Sequence, residues 1–111
     1  MYIGRQSVRQ LRVDAECHEN NIRVMECDLC SFDSVREFAK IYNSEEARLD
    51  VLICNANHMW SKHVVTKDGW NTLVQVNYLS HFLLTNLLLN KLKQCQPSRI
   101  INVSSDAHQS K

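Results

Sequence analysis

The 111-residue chain is 44% hydrophobic and 23% charged and carries a formal net charge of +1. These values are those of an ordinary globular domain, and the near-neutral charge excludes the broad basic field of a nucleic-acid-binding protein. Only two glycines and one proline are present, well below the roughly 7% and 5% that are usual. Since turns depend on these residues, the shortage indicates either a very helical protein or a segment that lacks loop-rich parts, and we take residues 1–111 as one partial domain.

The cysteines and the hydropathy pattern indicate a reducing, intracellular environment. Five cysteines are present, an odd number without the regular spacing of a secreted disulfide framework. The N-terminal MYIGRQSVRQ is polar and basic, unlike a signal peptide, and no stretch reaches the ~18 apolar residues of a membrane span. We therefore expect a cytoplasmic location, unless a segment outside this chain supplies a membrane anchor.

The first half of the chain predicts a helix, a strand and a second helix. Apolar residues recur at helical spacing over 5–17, which predicts a helix. The short apolar run IRVMECDL, residues 22–29, predicts a strand. Ser31 or Asp33 is placed to cap the next helix. The apolar residues of that helix share one face: Val35, Phe38, Ala39 and Tyr42.

The second half continues the alternation of strands and helices. The run DVLICNAN starts at Asp50 with four consecutive apolar residues, as in a parallel strand covered on both faces. Thr66 introduces a long helix over 67–92, and a Gln-Pro pair ends it. A last apolar run over 99–105 predicts another strand. Because strands alternate with helices, we predict an α/β fold with a parallel sheet built from right-handed crossovers.

Small or polar residues follow each predicted strand. They are Asp28-Leu29 after the first, residues 55–57 after the second and Ser104-Ser105 after the third. In an open parallel sheet, ligands bind at the carboxyl ends of the strands. A single Asp after a strand is commonly only a helix cap, but three such groups in successive units predict a binding edge.

Five sequence runs then resemble the short-chain dehydrogenase/reductase superfamily. They are D-L at 28–29, D-V-L-I-C-N-A-N at 50–57, T-K-D-G-W at 66–70, Q-V-N-Y-L-S-H-F-L-L-T at 75–85 and P-S-R-I-I-N-V-S-S at 97–105. The last three are similar to the retinol dehydrogenase-like branch. The resemblance implies a Rossmann-like parallel sheet with flanking helices. That sheet is incomplete here, because its central strands one and two and its C-terminal part are missing.

The resemblance implies an NAD(P)-dependent oxidoreductase. Such an enzyme moves hydride between nicotinamide and a retinol/retinal-like or other lipophilic alcohol or carbonyl. The cofactor is NADP or NAD, and analogy with the branch favours NADP. The implied partners are the nicotinamide cofactor and a lipophilic small molecule, without nucleic acid, and a homodimer through the long helix 67–92. The leucine stripe of that helix equally fits packing on the sheet.

The resemblance also assigns residues to the cofactor. Asp28 matches the acidic residue that accepts a hydrogen bond from the adenine amino group, and Leu29 beside it contributes a backbone amide. Asn55, Ala56 and Asn57 match the N-A-G element that lies against the adenine ribose.

Two further matches concern catalysis. Asn77 matches the Asn of the catalytic tetrad, where competition for backbone hydrogen bonds distorts the helix and holds a proton-relay water. Ser105 matches the Ser that orients and polarises the substrate oxygen. We prefer Ser105 to Ser104, because the functional serine is the second of this pair in the family.

The sequence departs from the family pattern at several places. Asn57 replaces the Gly of N-A-G and adds a side chain where the cofactor lies close, and Ser80 replaces a Gly in the long helix. The 111 residues contain neither the T-G-x-x-x-G-x-G phosphate loop nor the Y-x-x-x-K pair that supplies the acid/base. We therefore expect the isolated chain to be inactive. The predicted strand over 22–29 corresponds to the third strand of the family's sheet and would lack its neighbours, which predicts instability or aggregation.

Other interpretations stay open. A Cys27-x-x-Cys30 pair fits a metal or redox site poorly, because two further ligands at suitable spacing are missing and Asp28 lies inside the pair. We predict no metal site. His81 fits a packed or interface histidine better than a catalytic one, and Trp60 and Trp70 fit either a substrate pocket or packing. A non-catalytic dehydrogenase-like protein acting by partner binding, or an incomplete gene model, is the alternative function.

Overall fold

The computed structural model describes residues 21–59 and 62–106. Its elements are helix α1 (Phe32–Glu45), strand β1 (Val51–Cys54), a short helix α2 (Thr72–Val74), a π-helical turn (Gln75–Leu79), helix α3 (Ser80–Gln94) and strand β2 (Arg99–Asn102). The helix predicted over 5–17 and Trp60 lie outside the described residues.

The two strands form a parallel sheet, as the sequence predicts. Residues pair in register from Val51 with Arg99 to Cys54 with Asn102. A further hydrogen bond from Val103 N–H to the Cys54 carbonyl, at 3.1 Å, continues the ladder by one residue. Strand β2 therefore ends at Asn102, opposite the last residue of β1, and not at the predicted residue 105.

Helix α1 forms where the apolar face and the cap predict it. Ser31 is the N-cap, and its hydroxyl accepts a hydrogen bond from Ser34 N–H, which satisfies one of the free donors of the first turn. Asp33, the other candidate, lies in the first helical turn. There its charge favours the positive end of the helix dipole. Val35 and Ala39 face inward and are buried.

The predicted strand over 22–29 is wrong. Residues 22–28 run outside the two-stranded sheet, and Leu29 and Cys30 form a turn into α1. A strand requires a hydrogen-bonded neighbour, and the doubly wound order places two other strands between this segment and β1. Instead, Arg23 makes exposed ion pairs with Glu45 and Glu46 at the end of α1.

The predicted long helix begins later than residue 67 and is not uniform. Residues Thr66 to Gly69 close a turn, with Gly69 N–H donating to the Thr66 carbonyl at 2.9 Å and Gly69 at φ +86°. Such a backbone conformation favours glycine. The side chain of Asn71 then caps the helix by accepting from Leu73 and Val74 N–H. The helical segment runs from Thr72 to Gln94.

The core lies between α1, α3 and β1. Its buried members are Ala39, Leu49, Leu88 and Leu92, with Phe38, Tyr42, Leu52, Leu84 and Leu87 packed against them. Leu88 and Leu92 are 1% and 2% exposed. The predicted leucine stripe consists of Leu83, Leu84, Leu87 and Leu88, and all but Leu83 belong to this core within one chain. The homodimer stays a prediction. None of the helices in the described ranges is long and apolar enough to cross a membrane.

Candidate functional site

Asn77 occupies the middle of the π-helical turn Gln75–Leu79. Its side chain makes two hydrogen bonds to one backbone residue: Oδ1 accepts from His58 N–H at 2.7 Å, and Nδ2 donates to the His58 carbonyl at 3.0 Å. Single π turns inside α-helices are frequent at functional sites. The side chain of Asn77 thus joins the distorted helix to the loop that follows β1.

A cleft of about 250 Å³ opens where β1 and β2 end. We call it the Asn77 cleft. Its polar lining includes Asn55, Asn57, Asn77, His81, Ser104 and Ser105. Ala56 lines it as well, so the cleft brings together five of the seven predicted site residues. Both serines reach it, and the lining does not separate Ser105 from Ser104.

The other two predicted residues, Asp28 and Leu29, lie beside different clefts. Leu29 lines a small apolar cleft together with Asn55, Ala56 and His81, so it lies close to the edge of the Asn77 cleft. Asp28 lines a separate polar cleft at the start of α1, with Ser31 and Lys67 among its neighbours.

Asp28 and Leu29 carry the kinds of hydrogen-bonding group that an adenine edge requires, although they line different clefts. Oδ1 of Asp28 accepts from Cys30 N–H at 2.9 Å. Within residues 21–59 and 62–106, the N–H of Leu29 has no hydrogen-bond partner, and the Asp28 carboxylate also receives a hydrogen bond from the Cys30 side chain. An adenine offers an amino donor beside a ring-nitrogen acceptor, and one carboxylate oxygen with one backbone N–H is the complementary pair.

A buried network that sequence reasoning missed holds the loop before Asn77. Gln75 is fully buried. Its Nε2 donates to Oδ2 of Asp68 at 2.8 Å, and its Oε1 accepts from the hydroxyl of Thr66. The same Asp68 oxygen accepts from Phe32 N–H at 2.8 Å. The T-K-D-G turn thereby links the π turn to α1. Buried polar side chains need partners, so Gln75 inside an apolar helix was the available signal.

Electrostatics disfavour a redox role for the cysteine pair. Burial first, and the Asp28 carboxylate second, raise the pKa of both Cys27 and Cys30. A raised pKa keeps them as thiols, whereas metal binding and disulfide exchange use the thiolate. Cys27 lines the apolar cleft and Cys30 the polar one. In the described ranges, no group of three or more His, Cys, Asp or Glu is placed to hold a metal ion.

The two rings singled out in the sequence differ in position. His81 lines the Asn77 cleft, and burial lowers its pKa, which keeps the imidazole neutral at pH 7. Trp70 is half exposed in the loop that precedes α2. It does not line the Asn77 cleft, and the structure therefore gives it no place in a substrate pocket there.

A model of the short-chain dehydrogenase family matches residues 1–111, the whole of the chain. The chain belongs to the short-chain dehydrogenase family. Curated relatives include retinol dehydrogenase 13 of Mus musculus, 54% identical over 87 residues that make up 78% of this chain and 26% of that protein. Retinol dehydrogenase 13 of Homo sapiens is 49% identical over 102 residues, 92% of this chain and 30% of that protein.

Solved short-chain dehydrogenase structures share the fold. A metagenomic short-chain oxidoreductase in complex with NADP superposes with a TM-score of 0.73 at 25% identity, over 96% of this chain and 49% of that one. The Pseudomonas aeruginosa RhlG/NADP complex has a TM-score of 0.60 at 31% identity, over 73% of this chain and 34% of that one. The chain thus spans between a quarter and a third of the length of the retinol dehydrogenases it matches. This agrees with the predicted incomplete Rossmann-like sheet.

Proposed function

We propose that the chain forms the adenine side and the substrate-orienting edge of an NAD(P)-dependent oxidoreductase. Its substrate would be a retinol/retinal-like or other lipophilic alcohol or carbonyl, and NADP is the favoured cofactor. The observation that carries the proposal is the Asn77 cleft, in which the residues after β1, Asn77 and Ser105 meet at the carboxyl ends of two parallel strands. Ligands of open α/β sheets bind at that edge.

The nicotinamide cofactor supplies hydride chemistry, and the residues of this chain bind and orient. The Asp28 carboxylate accepts from the adenine amino group, and Leu29 N–H donates to the ring. Residues 55–57 lie against the adenine ribose. Asn57 leaves less room for the ribose, because it adds a side chain at a position where the family has glycine. Replacing Asn57 by Gly should therefore strengthen cofactor binding.

Asn77 and Ser105 act on the substrate side. Oδ1 of Asn77 accepts from His58 N–H and Nδ2 donates to the His58 carbonyl, and the backbone carbonyls of the π turn would hold the relay water. In this turn the Ser80 N–H donates to the carbonyl of Gln75, five residues earlier, instead of four residues earlier as in an α-helix. The Ser105 hydroxyl donates to the substrate oxygen and orients it. The Y-x-x-x-K pair that would move the proton is not among residues 1–111.

The first test uses the protein that is encoded by the longest reading frame containing residues 1–111. We expect that frame to add T-G-x-x-x-G-x-G upstream and Y-x-x-x-K downstream. The purified product should oxidise NADPH in the presence of all-trans-retinal, followed by the loss of nicotinamide absorbance. NADH in place of NADPH measures the cofactor preference. If the frame adds neither motif, or the product consumes neither cofactor with any lipophilic aldehyde, the proposed function is wrong.

A pair of adjacent serines provides the matched control within that protein. Removing one preorganised donor to a reacting oxygen typically costs ~100-fold or more in kcat. Ser105→Ala should show such a loss with cofactor affinity unchanged, whereas Ser104→Ala should retain most of the activity. The reverse result would transfer the role to Ser104. The 111-residue chain alone should show no turnover.

A further inference from the structure

Ser80 is a polar residue with no exposed surface at all. It begins α3 directly after the π turn, three residues beyond Asn77. Its hydroxyl donates to the backbone carbonyl of Leu29 at 2.6 Å, across 51 residues of sequence. This is the position at which the family resemblance places a glycine, which has no hydroxyl to give.

The backbone around Leu29 depends on such side-chain contacts, because it lies outside the sheet. Asp28 N–H donates to the Ser34 hydroxyl at 2.9 Å, and the Asp28 carbonyl accepts from Ser31 N–H at 3.1 Å. Both of these contacts come from the start of α1. The bond from Ser80 is different, since it ties the same backbone to the helix that follows Asn77.

We propose that Ser80 is a positioning residue for the adenine edge. By fixing the Leu29 carbonyl, its hydroxyl holds the Leu29 N–H and the adjoining Asp28 carboxylate in the orientation that receives adenine. The inference rests on the proposed function, since it assumes that a dinucleotide binds there. A segment ordered before binding loses less conformational entropy on binding, which raises affinity without adding a ligand contact.

A buried serine could also serve only to stabilise the fold. Ser98 allows that structural role to be separated from the positioning role. Its hydroxyl donates to the Leu92 carbonyl at 2.7 Å, which is a bond of the same kind as that of Ser80. This bond lies at the end of α3, far along the chain from Leu29. Loss of either hydroxyl removes one side-chain hydrogen bond to a backbone carbonyl. Ser80→Ala and Ser98→Ala should therefore lower the urea midpoint of unfolding to a similar extent.

The decisive measurement is nucleotide affinity in the longer protein, with the adenine half and the nicotinamide half tested separately. We expect Ser80→Ala to raise the dissociation constants of NADPH and ADP by about 3- to 10-fold, the worth of one hydrogen bond. The dissociation constant of nicotinamide mononucleotide should not change, nor should any of the three change in Ser98→Ala. In kinetics, Ser80→Ala should raise the KM for cofactor and leave kcat close to wild type.

The outcomes separate this inference from the function on which it rests. If wild type binds NADPH and Ser80→Ala binds ADP equally well, the role of Ser80 is wrong and the proposed function stands. An equal loss for ADP and nicotinamide mononucleotide would mean a general structural effect and also overturn it. If wild type binds no dinucleotide, both proposals fall. Should Ser80→Ala not fold, Ser80→Cys replaces it, because cysteine has a similar size and a weak S–H donor. Its affinity for ADP should then be lower than that of wild type.

Discussion

The carboxylate of Asp68 accepts a hydrogen bond from the backbone N–H of Phe32, 36 residues earlier, at 2.8 Å. Phe32 is the first residue of α1, where backbone donors lack helical partners. A loop residue thus caps a helix from outside, while the helix's own cap, Ser31, serves Ser34. The T-K-D-G run, which first suggested a helix start, acts as a clamp between the loop and α1.

This clamp predicts a loss of stability in acid. The hydrogen bonds from Phe32 N–H and then from Gln75 lower the pKa of Asp68. A lowered folded-state pKa means that folding favours the carboxylate, so its contribution is complete above the ordinary Asp pKa of about 4. That contribution is lost as the pH falls through the lower folded-state pKa. Urea unfolding followed from about pH 6 down to about pH 2 should show the midpoint falling below about pH 4.

The variant Asp68→Asn should have a lower urea midpoint at neutral pH and a smaller fall in acid. The amide oxygen of Asn can still accept the hydrogen bonds from Phe32 and Gln75, but it carries no charge for the helix N-terminus to favour. Glu37→Gln on the exposed face of α1 is the control, and it should retain the acid dependence of wild type. An unchanged acid profile in Asp68→Asn would contradict the clamp.

Local patterns were enough to predict most elements. The Ser31 cap, the apolar face of α1 and the uninterrupted run after Asp50 each define an element through neighbouring residues, and each was confirmed. The strand over 22–29 was predicted on the same grounds and was wrong. Its apolar pattern is real, but a strand forms only with hydrogen-bonded neighbours, and pairing partners are a property of the whole sheet.

The candidate site also has a part that the sequence predicts and a part that it does not. Strand ends could be read from the sequence, so the meeting of residues 55–57 with Ser105 was predictable from parallel topology. The contacts of Asn77 with His58 and of Ser80 with Leu29 span 19 and 51 residues. They depend on how loops fold back onto the π turn, which no sequence spacing encodes. The sequence suggested a distorted helix at Asn77, and the π turn confirms that distortion.

The paired bonds of Asn77 predict an asymmetric response to substitution. Asn77→Asp keeps an acceptor for His58 N–H but loses the donor to the His58 carbonyl and places a negative charge beside it. We expect a loss of roughly 1 kcal/mol in the free energy of unfolding, the value of one net hydrogen bond. Asn77→Ala removes both bonds and should lose about twice that. Urea titration followed by circular dichroism measures both.

The matched control for Asn77 is Asn90, on the exposed side of α3. Its side chain has no hydrogen bond among residues 21–59 and 62–106, so Asn90→Asp should change the free energy of unfolding by less than about 0.5 kcal/mol. If Asn77→Asp were equally neutral, the bidentate contact with His58 would carry no stability.

The core position of Leu88 predicts severe destabilisation on truncation. Leu88 is 1% exposed and packs with Ala39, Leu49 and Leu92. Leu88→Ala should cost about 2–5 kcal/mol, because a cavity replaces the lost methyl groups. Phe82→Ala is the control on the same helix, since Phe82 is 62% exposed, and it should lie within about 0.5 kcal/mol of wild type. A comparable loss in both would place Phe82 in a buried interface, such as the predicted homodimer.

One face of the sheet predicts self-association. Leu52 and Cys54 point to the side covered by α3, where Leu52 joins the core and Cys54 approaches Thr85. Because successive side chains of a strand point to opposite faces, Ile53 and its register partner Ile101 lie on the other side of the sheet. They are 58% and 42% exposed. A contiguous apolar surface of this kind, beside a short unprotected sheet edge, favours aggregation.

Replacing Ile101 by Lys should therefore reduce light scattering by the 111-residue chain at micromolar concentration. The free energy of unfolding should change by less than about 1 kcal/mol, because the side chain already meets solvent. Leu52→Lys on the covered side is the contrasting variant. It buries a charge in the core and should unfold the chain and increase scattering. If Ile101→Lys scattered as much as wild type, the association would have to arise from another surface, of which the exposed ring of Phe82 on α3 is the next to test.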